Sequence, residues 1–180
     1  MNIYIVRHGQ TNLNSERKVQ GRNGEPLNET GILQAKDLQN KFETENIKFD
    51  FVFSSPQERA IQTAEISSKM KPIIDNRLDV YDLGTADRLP ITEVKLTGVV
   101  PDMSIYDGVE NVEDYKERIY SFINEIIEKY KNEDVNILIV GHKCTTGIIS
   151  AYFENFKVET IYDNFLQLAC KNGEYKKYTL

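Results

Sequence analysis

The chain has 180 residues, 40% of them apolar and 28% charged, with a net charge of −6. That length suits one domain with a sizeable core, and the composition excludes a disordered or membrane-embedded chain. The acidic balance and the absence of any Lys/Arg run argue against a nucleic-acid partner, whose backbone needs a basic footprint.

The first strand-like run is Ile3 to Val6, followed at once by Arg7-His8-Gly9. A helix is expected from Glu29 to Glu45, with Asn28 as its cap and Ala35, Leu38 and Phe42 at helical spacing. Phe51 to Phe53 predicts a second strand, and a helix follows through Arg59, Ile61, Ala64 and Ile66. Pro72 to Ile74 reads as a third short strand. The segment 79–107, with its prolines and glycines, fits neither period and is read as an irregular excursion. From Val112 to Tyr130 the apolar positions describe a long amphipathic helix, capped by Asn111. Val135 to Val140 is a continuous apolar run of the kind buried in parallel sheets. Thr145 to Phe153 then reads as helix, and Phe165–Cys170 with Tyr175–Leu180 reads as a hairpin about Asn172-Gly173.

Strands alternating with helices predict an α/β fold, a mostly parallel sheet between helical layers, in a single domain spanning 1–180. No apolar stretch approaches the roughly 18 residues of a membrane span, so no membrane association is expected. Met1 leads straight into strand-like sequence, and a cytoplasmic location is expected. Cys144 and Cys170 lack CxxC spacing and read as reduced packing residues. Oligomeric state is not legible.

Parallel sheets bind ligands at the carboxyl ends of their strands. Here those ends carry Arg7-His8-Gly9, Ser54-Ser55-Pro56 with Arg59 one turn into the next helix, and Gly141-His142-Lys143. The only two histidines both stand directly after apolar strands. Two arginines and two histidines on one rim make a cationic cup in an acidic protein. Arginine forks match phosphate oxygens and offset the charge that develops during phosphoryl transfer. A histidine in such a cup can attack phosphorus. No carboxylate cluster or Cys/His spacing suggests a metal or another cofactor, and none is expected.

The chain resembles the histidine phosphatase superfamily, the phosphoglycerate-mutase-like proteins. The resemblance is carried in order by IVRHGQTNLN, RKVQG, PLNETGILQA, FSSPQERAIQTAE, GVEN near Gly108 and LIVGH. It implies the family's three-layer α/β sandwich, with 79–107 as part of a cap over the site. It implies that His8 is the nucleophile that becomes phosphohistidine, and that Arg7, Arg59 and His142 bind the transferring phosphoryl group. Asn14 matches the family's phosphate-contacting asparagine, Gln20-Gly21 the pair at the substrate entrance, and Gln10 and Thr11 the buttress of the nucleophile turn.

Two positions depart from the family pattern. In Arg77-Leu78-Asp79-Val80-Tyr81-Asp82-Leu83-Gly84, Val80 stands where many relatives place a glutamate. Either Asp79 or Asp82 replaces that acid, or the reaction runs without it; Asp82 is preferred, because in an extended chain it shares a face with position 80. Lys143 follows the second histidine where relatives carry a small residue, and it can add charge to the substrate rim. The expected function is a metal-independent phosphatase acting on a small phosphorylated metabolite. The alternatives are a phosphoglycerate mutase-type phosphoryl transferase, or a non-catalytic phospho-ligand-binding or regulatory module that has lost the acid.

Overall fold

Alternation along three buried strands decides the layers. In the computed structural model, which describes residues 1–180, β1 (Asn2–Arg7), β2 (Phe51–Ser54) and β6 (Asn136–Gly141) form the centre of a five-stranded sheet. Ile3, Ile5, Phe53, Ile137 and Ile139 belong to the larger core, and Tyr4, Val6, Val52, Leu138 and Val140 to the smaller one. Successive residues of a strand point to opposite faces, so the sheet is apolar on both and must be covered twice. Helices α2 (Glu29–Thr44) and α3 (Glu58–Ser68) cover one face. Helices α4 (Val112–Tyr130) and α5 (Lys143–Phe153) cover the other.

The strand order is β3-β2-β6-β1-β7, with β3 at Ile73–Ile74 and β7 at Tyr175–Thr179. All pairs are parallel except β1 with β7, which is antiparallel. This is the expected α/β sandwich with a mostly parallel centre. Both long-helix caps stand as expected: Asn28 Oδ1 accepts from Gly31 N–H, and Asn111 Oδ1 from Glu113 N–H. No helix is long and apolar enough to cross a membrane.

Register is what assembles the site. Arg7, the last residue of β1, pairs with Gly141, and Ser54, the last of β2, pairs with Val140. The next amides continue the ladder, His8 N–H to Gly141 O at 3.0 Å and Ser55 N–H to Val140 O at 3.1 Å. Three strands therefore end at one level, and the chain turns out of each beside the others.

The segment 79–107 contains a 3₁₀ turn at Gly84–Ala86 and a small antiparallel pair, β4 (Leu96–Thr97) with β5 (Val100–Pro101). It is tied to the loop after the short helix α1 (Asn12–Ser15) by Val19 N–H to Leu89 O and Ile91 N–H to Arg17 O. Arg118 on α4 staples its start, donating to the carbonyls of Arg77, Asp79 and Val80.

The expected C-terminal hairpin does not form. Phe165–Leu168 is a 3₁₀ turn packed on α5, with Phe165 fully buried. Only β7 joins the sheet, against β1. The preceding run packs on α5 through Phe165 and leaves the outer edge of β7 unpaired.

Candidate active site

The loop leaving β1 is held from four sides. His8 Nδ1 lies 2.7 Å from Gly9 O. A carbonyl only accepts, so Nδ1 carries the proton and Nε2 keeps its lone pair. Gly9 N–H donates to Thr63 Oγ1 at 3.0 Å, and that hydroxyl donates to Arg59 O at 2.7 Å. Asn172 Nδ2 donates to His8 O at 2.9 Å. The N-terminus of α2 completes the support: a Cβ on Gly9 would lie 2.5 Å from Gly31 O, so only glycine permits this approach.

His142 caps α5 and lies beside the first histidine, with ring centroids 5.2 Å apart. Its Nε2 is 2.7 Å from Ser55 Oγ, while Nδ1 is buried with no partner within the protein. The Nε atoms of Arg7 and Arg59 are likewise buried and unpartnered. Buried polar groups are normally satisfied, and three unpartnered nitrogens, two of them arginine donors, mark a place for an anion. Burial is the largest cause holding the His8 imidazole well below its usual pKa, followed by the Arg59 and Arg7 charges. His142 is depressed in the same way, by burial and then by Arg59. Burial also brings Arg59 down to about 10, which leaves it charged at neutral pH.

A cleft of about 340 Å³ opens above this floor. Arg7, His8, Asn14, Gln20, His142 and Lys143 line its polar end. Thr11 and Asn14 form a reciprocal capping box at the start of α1, and Thr11 Oγ1 donates to Gln20 Oε1 at 2.7 Å. Arg59 does not line the cleft. It is 1% exposed, donates from Nη2 to Gly21 O at 3.0 Å, and lies under the 20–24 loop. A Cβ on Gly24 would stand 1.9 Å from Arg59 Nη1, so the loop rests directly on the guanidinium.

Residues 3–173 match the sequence profile of the histidine phosphatase superfamily (branch 1). The chain belongs to that superfamily. It is 32% identical over 143 residues to the uncharacterized phosphatase PhoE of Bacillus subtilis, covering 78% of this chain and 70% of that one. It is 30% identical over 165 residues to phosphoglycerate mutase-like protein 4 of Arabidopsis thaliana, covering 84% and 69%. Among solved structures, a mycobacterial glucosyl-3-phosphoglycerate phosphatase superimposes with a TM-score of 0.80 at 21% identity, covering 98% and 91%. A phosphoserine phosphatase of Entamoeba histolytica gives 0.78 at 18% identity, covering 99% and 90%. These likenesses fix the fold.

In this member of the superfamily Val80 does line the cleft, but Asp82 does not. The Asp82 carboxylate lies 3.0 Å from Arg22 Nη1 and accepts from Gly84 N–H at 3.0 Å. The expectation for Asp82 assumed an extended chain. Instead the carboxylate caps the turn that follows it, at Leu83 (φ −89°, ψ 0°) and Gly84 (φ +53°), and pairs with Arg22 rather than entering the cleft. Asp79 is also engaged elsewhere, with Gln57 Nε2 at 2.8 Å and Arg22 Nε at 3.4 Å.

Reading by pattern missed Thr63 and Asn172. Both act on the His8–Gly9 backbone across more than 50 residues of sequence. Thr63 stands within the SPQERAIQTAE motif, one helical turn after Arg59, and that spacing was the available signal. Asn172 falls in the predicted turn, and nothing local to it points to the His8 loop.

Proposed function

We infer that this chain is a phosphomonoesterase that hydrolyses a small phosphorylated metabolite through a phosphohistidine on His8. The observation that carries the reading is the His8 ring itself: a neutral imidazole whose Nδ1–H is fixed by Gly9 O, leaving Nε2 as the free base. In the first step the Nε2 lone pair forms the P–N bond as the P–O bond to the alcohol breaks, and the electron pair departs on the ester oxygen. In the second step water attacks phosphorus, the P–N bond breaks, and its electron pair returns to Nε2. The water's proton passes to bulk solvent, and inorganic phosphate leaves. Arg7 and the buried Arg59 charge offset the negative charge on the equatorial oxygens, and the His142 Nδ1–H donates to one of them when Ser55 gives its proton to Nε2.

Brief reaction with labelled substrate followed by rapid quench is expected to give an acid-labile, base-stable adduct on His8, and His8→Ala to abolish it together with turnover. Label on a serine, or turnover surviving in His8→Ala, refutes the assignment. Val80 favours one other reading, a phospho-ligand-binding module without turnover. Competitive binding of vanadate with no phosphoenzyme on any ester would support that one.

A further inference from the structure

The cleft offers an alkoxide no carboxyl proton. No aspartate or glutamate lines it. Three acidic residues at the start and end of the cap segment are engaged elsewhere: Asp79 and Asp82 by Arg22, and Glu110 by Arg118 at 2.8 and 3.0 Å. Tyr81 lines the wall but spends its hydroxyl proton on Glu110 O. Cys144 is a half-buried thiol, pushed up by desolvation to about 11. Lys18 is paired with Glu16 at 2.7 Å. Lys143 lines the cleft from an exposed position at the start of α5.

Beyond the polar floor the wall is aliphatic: Val80, Leu83, Val94, Leu96, Val99 and Pro101 face the cleft. Sugar or glycerol hydroxyls would find no partners against these side chains, and unpaired polar groups are strongly selected against in such sites. An aromatic ring is matched by them. The two features point to one leaving group. A phenol loses its proton at a pKa of about 10, as tyrosine does, whereas an alkanol is about as weak an acid as water. A phenolate therefore departs without help where an alkoxide does not.

We propose that this site selects aryl phosphomonoesters, held against the aliphatic wall and cleaved without general-acid assistance. The proposal rests on the phosphohistidine reading above. His8 Nε2 forms the bond to phosphorus while the aryl P–O bond breaks, both electrons leave on the phenolate oxygen, and that oxygen takes its proton from solvent after release.

The test is a series of ring-substituted phenyl phosphates of graded leaving-group acidity, with n-butyl phosphate and glycerol phosphate as alkyl references. In the parent protein kcat/KM is expected to fall steeply as the leaving group becomes more basic. The aryl esters should exceed the alkyl ones by about 10²–10⁴-fold, the range a positioned acid supplies. Val80→Glu should flatten the dependence, and Asp82→Asn should leave it as steep as before. Leu96→Asp, at a half-exposed position that tolerates charge, should raise KM for phenyl phosphate by about tenfold or more, the scale of a lost apolar contact, with the slope retained. A flat dependence in the parent overturns the proposal, whether or not any variant folds. So does turnover of butyl or glycerol phosphate as fast as phenyl phosphate, or an unchanged KM in Leu96→Asp. Phosphohistidine formed equally fast from alkyl esters would remove the aryl selection alone, whereas its absence with every ester would remove the phosphatase reading.

Discussion

Replacing Thr63 with valine removes two hydrogen bonds and almost no volume. The hydroxyl is fully buried, accepts from Gly9 N–H at 3.0 Å and donates to Arg59 O at 2.7 Å. Valine keeps the shape, so no cavity opens, and the cost is that of leaving the Gly9 amide unpaired. A buried donor without a partner costs about 1–3 kcal/mol. In a chain of this length each kcal/mol moves Tm by roughly 2–4 °C, which gives a fall of about 2–12 °C. The larger effect is expected on activity. Gly9 N–H is one of the contacts that hold the His8 turn, and a displacement of about 1 Å at a reacting group can cost about 10²-fold. Thr63→Ser separates the two consequences, since it keeps both hydrogen bonds and gives up one methyl group, about 1 kcal/mol. Thermal melts and kcat/KM on phenyl phosphate, measured for both variants, check the reasoning. Thr63→Val should lose about two orders of magnitude in kcat/KM, and Thr63→Ser should stay close to the parent. Equal damage in both variants, or full activity in Thr63→Val, would show that the threonine only fills space.

Stability should decline as pH falls below about 6.5, the pH at which histidines of the unfolded chain take up protons. His8 and His142 are held neutral in the folded protein, so below that pH the unfolded state binds more protons and is favoured by up to about 1.4 kcal/mol per pH unit for each histidine. Melts between pH 7.5 and 5 should show this slope and His142→Gln should halve it; a flat profile would contradict burial of neutral rings. Gly24→Ala should weaken vanadate inhibition by about tenfold or more, equivalent to about 1.4 kcal/mol, because the new methyl group falls on the Arg59 guanidinium and one of the two must move. An unchanged inhibition constant would mean that the loop yields without disturbing the arginine.

What could be read in advance was whatever depends on short-range pattern. Strand ends are legible because an apolar run stops and a polar pair begins, and Arg7-His8, Ser54-Ser55 and Gly141-His142 all obey this. Parallel register then brings them to one level without further information. The segments that resisted depend on competition between distant pieces of chain. Phe165–Leu168 has strand-like composition, yet it packs on α5 and leaves the free edge of β7 unpaired. Asp82 does not reach the cleft because its carboxylate caps the turn at Leu83–Gly84 and pairs with Arg22, two contacts that strand alternation does not encode. Thr63 and Asn172 were invisible as site residues because their partners are backbone atoms of the nucleophile loop, and backbone atoms leave no trace in composition.

The division of labour between strand ends and cap has a consequence for how such a protein diversifies. The phosphate floor draws on residues 7–14, 54–63, 141–143 and 172, while the aliphatic wall comes from 80–101. The two are joined by main-chain pairs between residues 17–19 and 88–91, and by polar side chains outside the aliphatic wall: Asp87 accepts from Gly21 and Asn23 N–H, and Arg22 pairs with Asp79 and Asp82. Backbone contacts are indifferent to side-chain identity. Mutations can therefore accumulate along the wall, one valine or leucine at a time, while the cap stays docked and the nucleophile stays aimed. Preference among phosphate esters is free to drift in a lineage whose chemistry is conserved, and a graft of another wall between residues 80 and 101 would start from a floor already assembled.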